Sequence, residues 1–254
     1  MSKLMYDTEN MLNLFNDNKS YILHIPHSST FIPNTIGFIS NEAIQKEIEL
    51  LTDHCTDTIF NLPNVTKLVT PFSRIFCDVE RLPDNDEPMY KCGRGFYYTH
   101  ADNGEELRVL DNTCKDFVYK NYYKKHHQKL EKLVKNKLNK YGKAVIIDCH
   151  SFSDAPFKTD LIQDTERPDF CIGTDNYHTP QYLIDLVVNG LKSFGYTVGI
   201  NNPYAGTIVP LKYYGINDNV QSIMIEVNRK LYIDNGIVNT EKVNRLNEVL
   251  LMIM

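Results

Sequence analysis

HIPHSS, His24 to Ser29, and VIIDCHSFSD, Val145 to Asp154, each run from an apolar, strand-like segment into a histidine followed by a hydroxyl. Between them TDHCTD sets Asp53, His54 and Asp57 close together, and SIMIE ends an apolar run in the carboxylate of Glu226. Imidazoles and carboxylates drawn from separated segments form the donor set of a catalytic zinc site, which takes three protein ligands and leaves one position open. We therefore expect His27, Asp53 and His150 to bind one Zn2+ ion, with Asp57 and His54 as alternatives to Asp53 and other divalent metals admissible. Such an ion polarises a carbonyl and makes water acidic near neutral pH, which suits amide hydrolysis. Glu226 is the expected general base. A carboxylate closing a buried strand must meet a cation or a hydrogen-bond donor, and its purely structural alternative is an ion pair with Arg229.

The remaining histidines His54, His100, His126, His127 and His178 read as hydrogen-bonded core or surface residues. His24 shares HxxH spacing with His27, but Pro26 forces extended backbone between them, so His24 is expected behind the ligands or in a structural role. Asp148 is placed to accept the second ring N–H of a ligand histidine. Strand alternation turns Cys149 away from both Asp148 and His150, into the core. None of the six cysteines forms a CxxC pair, and reduced, mostly buried thiols are expected. Only seven of the 27 basic residues are arginine, and three of them, Arg74, Arg81 and Arg229, adjoin acidic motifs. The planar guanidinium suits bidentate capture of a carboxylate in a partly dry site, so the substrate is expected to be a small anion.

The elements that must position these groups follow from periodicity. Residues 20–26 read as a buried strand. Apolar residues at Ile44, Ile48, Leu51, Cys55, Ile59 and Leu62 predict one helix over 41–62, with Asp53 and Asp57 on a common face. Strands are expected at 65–70, 74–79, 143–150, 170–174, 197–200 and 221–227. Helices are expected at 105–141, ended by Gly142, at 180–194, and from about 240 onward. The glycine-rich stretch 89–108 reads as an active-site loop or hairpin, and whether the loop 84–104 closes over substrate as a lid is left to the structure. Strands alternating with helices predict one α/β domain over 1–254, with a mixed, mostly parallel sheet covered by helices on both faces. In such sheets ligands collect at the carboxyl ends of the strands, where His27, Asp78, His150 and Glu226 are expected to share one crevice.

At 254 residues and a formal charge of −5, with its basic residues scattered, the chain offers no groove for nucleic acid. Its N-terminus lacks the apolar core of a signal peptide, and no run approaches the ~20 apolar residues of a membrane span, so a cytoplasmic protein is expected. Phosphate-binding glycine loops of standard spacing and a GxSxG elbow are absent from the sequence.

Over nearly its whole length the chain resembles the N-formylglutamate amidohydrolase family. The ordered segments IPHSS, TDHCTD, SRIFCDVERLPDNDEPMYKCGRGFYYTH, IIDCHSFSD, RPDFCIGTD, NPYAGTIVPLKYYG and SIMIEVNRKLY carry that resemblance. It is also distantly similar to zinc carboxypeptidases, through DVER around Arg81, CHSF and IEVNR. The resemblance implies a phosphorylase/hydrolase-like fold, zinc on His27 and His150, substrate-carboxylate contacts from Arg81 and Arg74, and Glu226 as base. Tyr204 in NPYAG stands roughly where carboxypeptidases hold a mobile phenol. The position three after the first histidine, a glutamate in carboxypeptidases, is Thr30 here, which leaves the acidic ligand to Asp53. The implied reaction is hydrolysis of an acidic N-acyl-amino acid, N-formyl-L-glutamate first. Its alternatives are a carboxypeptidase, an amidase of peptides or cell-wall fragments, and a non-enzymatic zinc-stabilised binding domain.

Overall fold

Six apolar segments build the central sheet of this computed structural model, which describes residues 18–83 and 86–254. Residues 1–17, most of the N-terminal stretch without a signal-peptide core, lie outside the described residues, as do positions 84 and 85 of the loop 84–104. The strands are β1 (Tyr21–Ile25), β2 (Thr66–Val69), β3 (Ala144–Phe152), β4 (Phe170–Gly173), β5 (Val198–Ile200) and β6 (Val220–Asn228). They are ordered β2-β1-β3-β6-β4-β5. Every neighbouring pair is parallel except β4 with β6. This is the mixed, mostly parallel sheet of a single α/β domain. A two-stranded ribbon, β7 (Ile233–Asp234) with β8 (Ile237–Val238), stands apart from it.

The helices are α1 (Asn41–Leu51), α2 (Thr56–Ile59), α3 (Asn112–Val118), α4 (Lys124–Tyr141), α5 (Gln181–Ser193) and α6 (Thr240–Ile253). Alternation along each strand sends Leu23, Ile25, Ile147, Cys149, Ile223 and Ile225 to one face, where α2, α5 and α6 cover them. Ile22, Ala144, Ile146 and Val220 take the other face and pack on Leu130 and Val134 of α4. Each leucine, isoleucine or valine among them contributes roughly 1.5–3 kcal/mol when removed from water. On the α4 face the alternation then changes character: Ile22 is followed by His24, and Ile146 by Asp148 and His150. That face is thus apolar at the start of the strands and polar toward their carboxyl ends. Among the described residues no helix is long and apolar enough to cross a membrane.

Three expected elements differ. The helix expected over 41–62 breaks after Leu51: Thr52 is extended, and Cys55 sits in the left-handed region at φ 63°. The apolar spacing continues across the break, so periodicity alone does not register it. Tertiary contacts decide the matter, because the Asp53 N–H donates to His27 O at 3.0 Å. Asp53 and Asp57 therefore do not share a helical face; Asp53 is buried and Asp57 exposed.

The strand expected at 74–79 is a folded loop. The Phe76 and Cys77 N–H groups return to Ser73 O, and the Ile75 and Phe76 carbonyls accept from Arg108. Arg108 is 1% exposed, with its guanidinium 3.8 Å from the Phe38 ring centre and 4.1 Å from that of Tyr97.

The long lysine-rich helix starts at Asn112 rather than 105, capped by the Asp111 side chain on Thr113 N–H. Residues 105–108 instead bond back to the glycine-rich loop through Thr99 and His100. A π-helical stretch, Tyr119–Tyr123, joins α3 to α4. Gly142 ends α4 in the left-handed conformation at φ 73°, as expected.

Candidate active site

The two strand-end histidines meet across the sheet. His27 follows β1 by two residues, its carbonyl taken by Asp53, while His150 lies within β3, directly opposite Glu226 of β6. β3 and β6 each run two residues beyond these side chains. His27, Asp53 and His150 are all buried, and one donor atom from each lies within 4.8 Å of the others, close enough for a common metal ion. Asp53 reaches this point because the helix breaks: the extended Thr52 and left-handed Cys55 turn its carboxylate inward, and Thr56 Oγ1 fastens its carbonyl.

The hydrogen bonds orient both rings alike. A carboxylate can only accept, so His27 Nε2, 2.9 Å from Asp78 Oδ1, carries a proton, and so does His150 Nε2, 3.1 Å from Asp148 Oδ1. Each Nδ1 then turns to Asp53 Oδ2, at 3.6 Å from His27 and 3.1 Å from His150. His27 Nδ1 has no hydrogen-bond partner although it is buried. Burial opposes charge on His150, yet Asp148 and Asp53 outweigh it and hold the imidazole well above its usual range. Burial likewise raises Asp53, but the hydrogen bond from His150, with the His27 imidazole and Arg229 nearby, holds it well below the carboxylate range. An imidazole bracketed by two carboxylates is a place for positive charge, supplied equally by a proton on Nδ1 or by a metal ion. Two Nδ1 atoms, one carboxylate and a carboxylate behind each imidazole are the donors and outer partners that a catalytic zinc uses.

Around this core the arginines divide. Arg229 donates from Nη2 to Asp53 Oδ1 at 2.9 Å, from Nη1 to Leu50 O at 2.7 Å and from Nε to Ser151 Oγ at 3.2 Å. It is turned onto the Asp53 carboxylate and the backbone, and it does not hydrogen-bond Glu226. Arg74 grips Asp78 Oδ2 through Nε and Nη2 and brings Nη1 within 3.9 Å of Asp53 Oδ1. Arg81 is the most open of the three, its side chain 28% exposed, and its Nε is buried without a hydrogen bond. Glu226 Oε2 is also buried and unpartnered. Burial pushes this carboxyl up to about 7, with His150 pulling it down and Asp53 pushing it further up.

Tyr204 packs edge-on against Phe152, and its hydroxyl donates to Asp160 at 2.9 Å while accepting from Arg167 at 3.2 Å. His24 lies behind the pair, its Nδ1 2.9 Å from Asp148 Oδ1 and 3.0 Å from Glu80 Oε1, a second group able to hold a metal ion. Asp57 and His54 take no part, and the His54 ring bonds to the Glu49 carbonyl.

Sequence reasoning missed Tyr98, whose hydroxyl donates to Asp78 Oδ2 at 2.7 Å, and Glu80, whose carboxylate reaches His24. It also assigned His126 to ordinary core, whereas His126 Nε2 lies 2.8 Å from His24 Nε2. A row at 126, 130 and 134 on the buried face of α4 carries the signal for His126, since one polar residue extends an otherwise apolar stripe.

The same architecture occurs in known structures. N-formylglutamate amidohydrolase from Ralstonia eutropha JMP134, 23% identical, aligns over 92% of this chain and 91% of its own with a TM-score of 0.80. A gene product from Agrobacterium tumefaciens, 19% identical, aligns over 93% of this chain and 91% of its own with a TM-score of 0.67. At such identities the likeness concerns the fold. No curated protein matches the chain. The family model for N-formylglutamate amidohydrolase matches residues 19–233, a span that includes every side chain of the site from His24 to Arg229. By that match the chain belongs to the N-formylglutamate amidohydrolase family.

Proposed function

We propose that this protein hydrolyses the N-acyl amide of a small acidic N-acyl-amino acid, first of all N-formyl-L-glutamate, to formate and L-glutamate. One divalent ion, zinc by the nature of the donors, completes the site. Family membership supports amide hydrolysis. The observation that carries the metal reading is the parallel orientation of His27 and His150, each with a carboxylate on Nε2 and with Nδ1 turned to Asp53. His27, Asp53 and His150 would hold the ion, which when bound supplies Lewis acidity, polarising an amide carbonyl and rendering water nucleophilic near neutral pH.

The chain's own groups do the rest. Glu226 is the base: its unpartnered oxygen and its titration near 7 suit a group that takes a proton from attacking water and returns it to the departing amine. Arg81, whose side chain is the most open of the three arginines, and Arg74 bind the substrate carboxylates. Arg229 holds Asp53 Oδ1 and leaves Oδ2 to the ion. Tyr204, its hydroxyl tied to Asp160 and Arg167, contributes its ring to the substrate side. All six cysteines are unpaired, which fits action in a reducing, cytoplasmic compartment.

The test is a panel of N-formyl-, N-acetyl- and N-succinyl-amino acids and short peptides, assayed with zinc-loaded and chelator-treated protein. Formate release from N-formyl-L-glutamate that disappears on chelation and returns with zinc is expected. Turnover of peptides in preference to formyl-amino acids would refute the substrate assignment.

A further inference from the structure

Behind Asp148 runs a row of buried polar side chains that the proposed hydrolysis does not use. Asp148 Oδ1, which faces His150 Nε2, is also 2.9 Å from His24 Nδ1. His24 Nε2 lies 2.8 Å from His126 Nε2, and His126 Nδ1 lies 3.3 Å from Thr70 Oγ1. His24, Asp148 and Thr70 are fully enclosed, and His126 is 5% exposed. The row joins β3, β1, α4 and the residue after β2, on the face where Leu130 and Val134 of α4 otherwise make apolar contacts. Buried polar groups are costly unless each finds its partner, so the direction of every hydrogen bond here is constrained.

His24 Nδ1 faces two carboxylates, Asp148 and Glu80, and must carry a proton. Of two imidazole nitrogens facing each other, one donates and one accepts. Burial disfavours charge on His24, but the hydrogen bond with Asp148 and the adjacent Glu80 carboxylate overcome it and raise the ring to about 9. Burial, and then the His24 charge, press His126 well below its usual value. His24 is therefore the cation, donating from both nitrogens, and neutral His126 accepts at Nε2 with its own proton on Nδ1 toward Thr70. The second oxygen of Asp148 is fixed by the Ile208 N–H at 3.1 Å. Asp148 is thus oriented at both oxygens, and its charge is met from behind.

We propose that His24 and His126 are positioning residues for His150. They keep Asp148 an oriented acceptor, so that the His150 Nε2 proton stays bonded there and Nδ1 is the nitrogen turned toward Asp53 and offered to the ion. The inference rests on the metal reading above and extends it two side chains deeper. Loss of the acceptor at 126 strands the Nε2–H of His24, weakens the cation behind Asp148 and leaves that carboxylate to draw on His150 alone.

The experiment titrates metal-free protein with Zn2+ against a chromophoric chelator, and with Co2+ followed by visible absorption, for wild type, His126→Leu and His126→Gln. The amide oxygen of Gln can replace the Nε2 acceptor. Wild type is expected to bind one zinc. His126→Leu is expected to bind it roughly 10–100-fold more weakly, with an altered cobalt spectrum, as for loss of an outer partner, and Gln is expected to restore most of the affinity. If the Leu variant does not fold, His126→Met, which fills the space flexibly, is read in its place. Wild-type affinity in the apolar variant, or a Gln variant as weak as Leu, overturns the proposal. So does a second zinc equivalent, which would put metal instead of a proton on His24 Nδ1. A wild type that binds no zinc overturns the metal reading itself, and this inference with it.

Discussion

The imidazole rings of His27 and His150 stand 5.0 Å apart, centre to centre, tilted by 57°. They are delivered by the ends of neighbouring parallel strands, and Asp53 Oδ2 lies within 3.6 Å of one Nδ1 and 3.1 Å of the other. The three groups are held from behind by Asp78, Asp148 and Arg229, so their convergence is built into the fold.

Asp53→Asn keeps the side-chain shape and removes the charge that two histidines and an arginine converge on. Zinc affinity should fall by more than the roughly 10–100-fold that an outer partner is worth. Chelator competition measures it, and an unchanged affinity would show that the ion sits elsewhere. Stripping the metal should leave far-UV circular dichroism largely intact, because the sheet is held by apolar layers on both faces.

Glu226→Gln should retain zinc and the fold while kcat drops by roughly 10²–10⁴, the usual worth of a general base. Elemental analysis beside steady-state kinetics checks both halves. A variant that loses metal in proportion to activity would assign Glu226 to coordination.

In metal-free protein the folded-state pKa of Glu226, about 7, lies above its ordinary value of 4.5. The folded form then holds its proton where the unfolded chain has released it, so this group's contribution to stability declines as pH rises from about 4.5 to 7 and is constant above. At full extent the loss is roughly 3 kcal/mol. Urea melts of wild type and Glu226→Gln at pH 5 and pH 8 should show the Gln variant gaining on wild type at the higher pH. An equal difference at both would contradict the raised pKa.

Arg81→Ala should lower kcat/KM for an N-formyl amino dicarboxylate by about 10–100-fold, the value of a hydrogen bond to a charged group. Turnover of a neutral N-formyl amide should change little. Equal losses on both substrates would remove Arg81 from the carboxylate clamp.

Asp78 accepts from His27, Arg74, Tyr98 and the Glu80 N–H, and is fully buried. Asp78→Leu strands these donors and should cost roughly 3–5 kcal/mol in chemical denaturation, the scale for breaking a buried ion pair. A loss below about 1 kcal/mol would mean that the arginine finds another partner.

Local patterns in the chain were enough for the sheet's strands at 21–25, 144–152 and 220–228, for the glycine stop of α4 and for the polar residues that end the buried strands. Side-chain alternation and apolar runs are properties of neighbouring residues, and they decide which groups face the α4 side together. The break that frees Asp53 was not legible, because the apolar spacing of Leu51, Cys55 and Ile59 runs through it unchanged while the decisive hydrogen bond comes from His27. Nor was the folded loop at 74–79, whose strand-like composition serves a packed turn around the buried Arg108.

By itself the sequence determined the chemical inventory and the architecture that gathers it, since residue types and periodicities are inherited directly from the chain. Only the tertiary structure decided that Asp78 backs His27, that Asp53 faces His150, and that Arg229 clasps Asp53 and not Glu226. Those pairings join positions 51, 97 and 176 residues apart, and they depend on strand order and loop geometry that no local window contains.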